Sequence, residues 1–299
     1  MKHKPTSAFR LFASAALIAF GMTLFADCGY KSDSLPDANS AAVNPYPSGR
    51  VDTLALDSRL VKSPMAVNVA LPGGYFADSS SRYPVLYLLH GHGGNRNTWG
   101  RLIALDSAAT THKMIIVTLD GRNSWYWDSP LVPDLQMESF ITRELVPTID
   151  SLFRTIPDRD HRAVTGLSMG GHGAMWLALH HKDMFGNVGS TSGGVDIMPF
   201  PNRWNIDASI GDYAKCNDSW KSHSVMSHVD SITPGDYNII FDCGTEDFFF
   251  DVNNRLDSIL TARGIEHTYL TSPGIHNGDY WKKSILPQLD FFEKHFNND

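Results

Sequence analysis

The strongest structural signal in this chain is Thr165-Gly166-Leu167-Ser168-Met169-Gly170-Gly171-His172-Gly173-Ala174. It contains Gly-x-Ser-x-Gly, and it follows a short apolar run and precedes a segment rich in helix formers. A strand that turns sharply into a helix strains the backbone of the central serine, so the residues two before and two after it must lack a Cβ. The turn exposes the Ser168 hydroxyl above the sheet. The helix that begins at Met169 directs unpaired N–H groups at the same place, which predicts a nucleophile beside an oxyanion donor.

Short apolar runs alternate with helical patterns from residue 84 onward, which predicts a mostly parallel, doubly wound α/β sheet. The predicted strands of this part are Pro84–Leu89, Met114–Leu119, Ala163–Thr165, Asn187–Ser190, Tyr237–Asp242 and His267–Leu270. The predicted helices are Leu102–Thr110, Glu138–Phe153, Gly171–His181, Val252–Arg263 and Tyr280–Phe296. Alternation in residues 51–71 predicts two antiparallel strands that begin the sheet. Residues 195–235 are irregular and are expected to form an excursion over the site.

Two further chemical groups follow the last two predicted strands. A serine at its ordinary pKa is a poor nucleophile and needs a histidine base, and the imidazole needs a carboxylate that fixes its tautomer. His276 follows the strand that ends at Leu270, and carboxylates follow the strand that ends at Asp242. Spacing alone does not choose between Glu246 and Asp247, whereas Asp242 itself is expected to brace the loop.

The loop after the first buried strand, His90-Gly91-His92-Gly93-Gly94, is rich in glycine. Its backbone can approach a ligand closely, so we expect the N–H of His92 to join that of Met169 as the second oxyanion donor. A phosphate cradle is discounted because no Gly-Lys-Ser/Thr follows. The alternation of His90 and His92 is a poor metal pattern without further ligands.

Three aromatic residues, Trp125, Tyr126 and Trp127, follow the second buried strand. They are candidates for lining an acyl or aryl pocket, and they could equally cap the core.

The N-terminal residues differ from the rest of the chain. Residues 1–26 carry three basic residues, an apolar stretch and a small residue at the end, which predicts an export signal and no retained membrane span. Cys28 stands where a lipoprotein would carry its lipid, although Asp27 before it is unusual. Residues 27–50 are expected to form a flexible tether, and residues 51–299 one catalytic domain. We therefore expect a periplasmic or extracellular protein.

Charge and cysteine content exclude some classes of protein. Removing residues 1–26 leaves 22 basic residues (25 minus 3) and 32 acidic ones, a net charge of −10, which argues against a nucleic acid partner. Three cysteines make no disulfide framework, although Cys216 and Cys243 could form one bridge in an oxidising compartment.

Five sequence blocks together resemble the esterase D-like branch of the α/β-hydrolases, which includes tributyrin, feruloyl and acetylxylan esterases, S-formylglutathione hydrolases and mycolyltransferases. They are Leu88-Leu89-His90-Gly91, Asn123-Ser124-Trp125-Tyr126, Gly166-Leu167-Ser168-Met169-Gly170, Gly244-Thr245-Glu246-Asp247 and Gly274-Ile275-His276. The resemblance implies an α/β-hydrolase fold. It also implies Ser168 as nucleophile, His276 as base, Asp247 as acid, and the N–H groups of His92 and Met169 as oxyanion donors.

The expected function is therefore that of an exported serine carboxylesterase that needs no metal or organic cofactor. Its substrate would be a short acyl ester, or an acetyl or feruloyl ester on a plant polysaccharide. An acyltransferase with the same triad is the main alternative. A non-catalytic carbohydrate-binding relative is less favoured because all three triad residues are present. The sequence leaves the oligomeric state open.

Overall fold

A computed structural model describes residues 49–297, whose eight strands form one sheet in the order β1-β2-β4-β3-β5-β6-β7-β8. The predicted export signal, the possible lipid site at Cys28 and almost all of the predicted tether lie outside the described residues. The strands are β1 (Arg50–Ser58), β2 (Ser63–Leu71), β3 (Val85–Leu89), β4 (Ile115–Leu119), β5 (Arg162–Gly166), β6 (Asn187–Thr191), β7 (Asn238–Gly244) and β8 (Thr268–Ser272).

The sheet begins antiparallel and continues parallel, as the sequence predicts. β1 pairs with β2 and β2 with β4 in antiparallel registers, and every later pair is parallel. All residues of β3, β4, β5 and β6 are buried, which explains why these strands show continuous apolar or small residues without alternation. The carboxyl ends of β3, β5, β7 and β8 therefore meet at one edge of the sheet, where ligands bind in folds of this kind.

Helices cover both faces of the sheet. They are α1 (Leu105–Thr111), α2 (Met137–Ser139), α3 (Val146–Leu152), α4 (Met169–His180), α5 (Ile206–Ile210), α6 (Asn217–Ser222), α7 (Phe250–Ala262) and α8 (Gly278–Phe296). The predicted helix 138–153 is interrupted by a π-helical segment, Phe140–Leu145, between α2 and α3. Pro147 lies in the first turn of α3, where it has no N–H to donate to the preceding turn, so a wider turn is accommodated before it.

Two apolar clusters pack against the two faces of the sheet. The larger includes Tyr87, Phe185 and Phe241 and extends to the buried tryptophans Trp125 and Trp127. The smaller lies beneath α1 and α8 and contains Trp99, Phe292 and Phe296 among others. Strand β5, which precedes Ser168, contributes side chains to both clusters, so it is fixed from both sides.

Residues 192–236, here called the cap segment, connect β6 to β7. They contain the short helices α5 and α6, two single 3₁₀ turns (Val225–Ser227 and Val229–Ser231), and no strand. This agrees with the irregular excursion expected from the sequence. Within residues 49–297, no helix combines the length and the apolar character needed to cross a membrane.

The thiols of Cys216 and Cys243 are both free, so the bridge that the sequence allows is not formed. Cys243 lies buried on β7, and Cys216 packs against the cap-segment residue Gly211. The two cysteines therefore belong to separate parts of the structure, one in the sheet and one in the cap segment.

Candidate active site

Ser168 lies at a sharp turn between β5 and α4 and has a strained backbone. Its φ of +56° and ψ of −117° fall in a region that residues with a Cβ rarely adopt. A Cβ at Gly166 would lie 2.6 Å from the carbonyl oxygen of Gly170, and one at Gly170 would collide with the carbonyl oxygen of Leu89. Both glycines are therefore required by space, as the sequence pattern implies.

Ser168, His276 and Asp247 form a continuous hydrogen-bonded chain. The Ser168 Oγ lies 2.9 Å from His276 Nε2, and His276 Nδ1 lies 2.8 Å from Asp247 Oδ2. A carboxylate can only accept, so Nδ1–H donates to Asp247, and Nε2 is left to accept the serine proton. The Asp247 side chain is fully buried and that of His276 is 14% exposed, so bulk water does not weaken the pair.

The three carboxylates near the end of β7 are sorted by where they point. Asp247 turns inward, where its Oδ1 also accepts from the backbone N–H of Phe249 at 2.9 Å. Glu246 is exposed and lies beyond reach of His276. Asp242 is buried on the strand itself, away from the imidazole. Among these three, only Asp247 can orient His276.

Two backbone N–H groups near Ser168 have no acceptor among residues 49–297. The N–H of Met169 is the first of α4 and has no intrahelical acceptor. The His90–Gly94 loop approaches from β3, where a Cβ at Gly91 would lie 3.2 Å from the Ser168 Cβ. The N–H of His92, the next residue in this loop, donates to no residue within 49–297. The arrangement leaves two donors for an oxyanion beside the serine.

The loop His90–Gly94 carries the expected oxyanion donor His92 and is here called the oxyanion loop. Its neighbours hold it rigidly. His90 Nδ1–H donates to the carbonyl of Gly91 at 2.7 Å, and Nε2 accepts from the N–H of Gly121 at 2.8 Å. Both ring nitrogens of His90 are therefore used to fix the backbone and neither is left to bind a metal. Tyr126 adds a hydrogen bond from its hydroxyl to the carbonyl of His90 at 3.0 Å.

Trp125, Tyr126 and Trp127 lie in the core, each no more than 1% exposed. Trp125 stacks on Trp127 with ring centroids 5.7 Å apart, and the ring of Tyr126 fills the space above Gly173 of α4. Side chains this deeply buried do not line an open pocket. Their burial favours the second of the two roles that the sequence left open, in which these residues cap the core, and it places them against α4 and the loop that carries His92.

The aromatic side chains that do border the triad are others. Phe248 is 49% exposed, and its ring centroid lies 4.2 Å from that of His276. Trp204 of the cap segment stacks on Phe248 with centroids 5.8 Å apart, and its backbone lies beside the imidazole of His92. The two rings form an aromatic wall between the triad and the oxyanion loop. The sequence analysis did not predict this aromatic wall, although the run Phe248-Phe249-Phe250 directly follows Asp247 and indicates aromatic side chains near the site.

A buried histidine joins the cap segment to α4, the helix that follows Ser168. His172 of α4 donates from Nε2 to the carbonyl of His223 at 2.9 Å and is fully buried. Burial lowers the pKa of His172 to about 3, and it also lowers the pKa of His223. Trp176 stacks on the His223 ring, with centroids 5.6 Å apart. The cap segment is thus attached to α4 through neutral imidazoles.

Comparison with known proteins identifies the family. The sequence model of the family described as "Putative esterase" matches residues 58–292, which is most of the chain. The chain belongs to this esterase family.

Relatives of this chain vary in length. An acetyl esterase of Caldicellulosiruptor saccharolyticus is 26% identical over 230 residues, covering 72% of this chain and 85% of that protein. An esterase of Mycobacterium tuberculosis is 38% identical over 131 residues, covering 42% of this chain. The match spans only 28% of the length of that mycobacterial relative.

Solved structures also resemble this chain. A ferulic acid esterase is 28% identical, covers 83% of this chain and 99% of its own, and superposes with a TM-score of 0.71. The chain has the α/β-hydrolase fold, as the five sequence blocks implied, and it is a member of the esterase D-like group.

Proposed function

We propose that this protein is a serine carboxylesterase whose catalytic residues are Ser168, His276 and Asp247. The observation that carries the proposal is the hydrogen-bonded chain from Ser168 Oγ through His276 to the buried Asp247, at 2.9 Å and 2.8 Å. A strained elbow serine beside two free backbone donors adds the charge stabilisation that acyl transfer requires.

The proposed reaction proceeds in two halves. His276 accepts the proton of Ser168 as its oxygen attacks the ester carbonyl, and the N–H groups of Met169 and His92 hold the resulting oxyanion. The alcohol leaves with the proton from His276, which gives an acyl-enzyme. Water then repeats the sequence, with His276 as base, and releases the acid. Asp247 stays ionised throughout and stabilises the imidazolium.

The aromatic wall supports an aromatic acyl or alcohol group in the substrate. Phe248 lies against the imidazole of His276 and Trp204 stacks on Phe248, so aromatic surface borders the proposed triad, and a flat substrate ring can pack on such a surface. The relatives named acetyl esterase and ferulic acid esterase support two acyl classes, the acetyl group and the aromatic feruloyl group. We therefore place short acyl and feruloyl esters, including those on plant polysaccharides, first among the substrates.

Export from the cytoplasm is part of the proposal and rests on the sequence of residues 1–26 alone. Cell fractionation together with N-terminal sequencing of the purified protein tests it. Cleavage near Ala26 supports export. An intact Met1 in the cytoplasmic fraction contradicts it.

The decisive experiment is hydrolysis of p-nitrophenyl acetate, butyrate and octanoate and of methyl ferulate, with Ser168→Ala as the matched control. Saturable hydrolysis by the wild-type protein that disappears in the variant is the expected result. Each ester is also offered with a sugar acceptor, and the products are analysed. Acyl-sugar in place of free acid would identify an acyltransferase. Failure on every ester by a folded wild-type protein would overturn the proposal.

A further inference from the structure

A side-chain hydrogen bond reaches the oxyanion loop at the residue after His92. The Oδ1 atom of Asn123 accepts from the backbone N–H of Gly93 at 2.7 Å. Asn123 lies in the loop after β4, and its side chain is exposed. Packing in the core therefore does not account for this contact, and its effect on the loop has to be sought in the loop itself.

The oxyanion loop contains a tight turn that has two possible forms. The N–H of Gly94 donates to the carbonyl of Gly91 at 2.9 Å, so His92 and Gly93 are the two central residues of a β-turn. The φ of Gly93 is +74°, the value that a type II turn needs at its third residue. Glycine adopts a negative φ as readily, and with that φ the same four residues form a type I turn.

Space does not require a glycine at residue 93. A Cβ at Gly93 would meet no atom within 4 Å among the described residues other than its chain neighbours. At Gly91 and Gly94, in contrast, a Cβ would lie 2.6 Å from Leu167 and 2.8 Å from His90. The positive φ of the type II form is therefore what glycine provides at residue 93.

The two forms of the turn differ by the rotation of one peptide unit. Types I and II differ in ψ of the second residue and φ of the third, so the peptide between His92 and Gly93 turns over. The rotation would bring the carbonyl of His92 to the side where the N–H of Gly93 now lies. Its oxygen would then face Asn123 Oδ1, and two acceptors repel each other. The hydrogen bond to Asn123 therefore favours the type II form.

The turn that carries Asn123 is itself fixed. The N–H of Gly121 donates to His90 Nε2 at 2.8 Å, and the hydroxyl of Ser124 donates to the carbonyl of Gly121 at 2.6 Å. Ser124 is buried. Asn123 therefore presents its acceptor oxygen from a backbone that is tied both to the oxyanion loop and to the core.

We propose that Asn123 is a positioning residue for the oxyanion donor. Its amide oxygen holds the peptide between His92 and Gly93 in the type II form, and this keeps the N–H of His92 in place for the oxyanion. The inference rests on the proposed esterase function. His92 is both the proposed donor and one of the two residues whose torsion angles change between the forms. Oxyanion stabilisation depends on donors that are fixed before the reaction, so freedom of this peptide lowers it.

Steady-state kinetics on p-nitrophenyl butyrate tests the role of Asn123. Asn123→Ala should lower kcat by about fivefold, the value of one hydrogen bond, and leave KM nearly unchanged, because the oxyanion forms only in the transition state. Asn297→Ala is the matched control and should have the kcat of the wild type. Asn297 is also exposed and makes one side-chain hydrogen bond to the backbone, but it lies at the opposite end of α8 from His276.

Two kinetic results would overturn the proposal. An unchanged kcat in Asn123→Ala would show that the hydrogen bond to Gly93 does not affect the reaction. A raised KM with an unchanged kcat would show that the amide of Asn123 contacts the substrate directly.

A double-mutant cycle shows whether Asn123 acts through the turn. Gly93→Ala should lower kcat by about tenfold, because alanine is strained at a φ of +74° and favours the type I form. The variant with both changes should be no slower than Gly93→Ala, since both changes release the same peptide. Multiplication of the two losses would mean that Asn123 acts independently of the turn and would refute the proposal.

Amide exchange tests the contact without turnover. The protein is labelled with ¹⁵N-glycine, and the NMR signal of Gly93 is the one that Gly93→Ala removes. Exchange of this amide proton should be about fivefold faster in Asn123→Ala than in the wild type, and unchanged in Asn297→Ala. Equal exchange in Asn123→Ala and the wild type would refute the contact, whether or not an ester is hydrolysed. A protected Gly93 amide in a protein that hydrolyses no ester would overturn the proposed function, and this role with it.

Discussion

The triad region and the cap segment border the same site but are built differently. Ser168, Asp247 and His276 each follow a strand of the central sheet within a few residues. Trp204 lies in a turn of the cap segment just before α5, and the helices of this segment have only five and six residues. It also has positive φ at several residues that are not glycine. These are Ser192, Asn202, Trp204 and Asn205.

The two regions correspond to two tasks of the site, which are the chemistry and the recognition of the substrate. The groups proposed for the chemistry need fixed distances, and the ends of paired strands in one sheet provide them. The aromatic wall needs only a surface of the right shape, which irregular backbone can supply. Changes in the first region should therefore act on turnover, and changes in the second on substrate choice and on acid stability.

The largest effect is expected at Ser168. Ser168→Ala should lower kcat by about 10⁶-fold, because without the oxygen only binding and the oxyanion donors remain. The circular dichroism melting curve should stay close to that of the wild type, since the hydroxyl contributes little to packing. Residual turnover within tenfold of wild type would show that another nucleophile is used.

The second-largest effect on kcat is expected at Asp247. Asp247→Asn should lower kcat by about 10⁴-fold, because an amide no longer selects the imidazole tautomer that accepts from Ser168. Glu246→Gln is the matched control, and we expect its rate to be unchanged because that side chain is exposed and away from His276. The reverse pattern would reassign the acid. Steady-state kinetics on one ester suffices.

Acid stability probes the contact between the two regions. Burial lowers the pKa of His172 in the folded state to about 3, from its ordinary value of 6.5. The unfolded chain therefore binds more protons between these values, and stability is lost as the pH falls below about 6.5. This histidine alone should cost about 2 kcal/mol between pH 7.5 and pH 5.

Urea unfolding at the two pH values measures this loss. We expect His172→Gln to show a smaller difference between them than the wild type, whatever its stability at pH 7.5. Equal differences in both proteins would mean that His172 is not a source of the acid sensitivity.

The aromatic wall should affect selectivity. Trp204→Ala should lower kcat/KM for methyl ferulate by about tenfold, the value of a lost aromatic contact, and leave hydrolysis of ethyl acetate nearly unchanged. Trp204→Phe should retain most of the activity on ferulate. Equal losses on both esters would indicate that Trp204 supports the oxyanion loop and does not contact the substrate.

The smallest effect concerns backbone strain. Ser168→Gly should be more stable than Ser168→Ala by about 1 kcal/mol, because glycine adopts a φ of +56° without strain, partly offset by its greater freedom when unfolded. Urea unfolding of the two inactive variants measures the difference directly. Greater stability of the alanine variant would argue against strain at the elbow.

The sequence predicts the sheet well because the strands β3 to β6 are fully buried and β1 alternates between its two faces, and both patterns leave clear signals. It places Ser168, His276 and a carboxylate at strand ends, but spacing could not choose between Glu246 and Asp247. That choice depends on which side chain turns inward, which only the resemblance indicated.

Trp125 and Tyr126 were harder to place because both have positive φ, +55° and +66°, which folds the loop back into the core. Hydrophobic periodicity does not predict a turn with positive φ at residues with large side chains. Trp204 was missed for the same reason, since it also has positive φ and lies in a segment without regular structure.

The backbone strain at Ser168 also bears on which substitutions this position would tolerate. At Ser168, glycine would fit the backbone better than any residue with a Cβ, and this one substitution would abolish the nucleophile. In a lineage that had ceased to use the hydroxyl, random mutation would meet no barrier to that change and selection for stability would favour it. The strain at Ser168 therefore favours a protein that uses this hydroxyl, as the proposed esterase does, over a purely sugar-binding one.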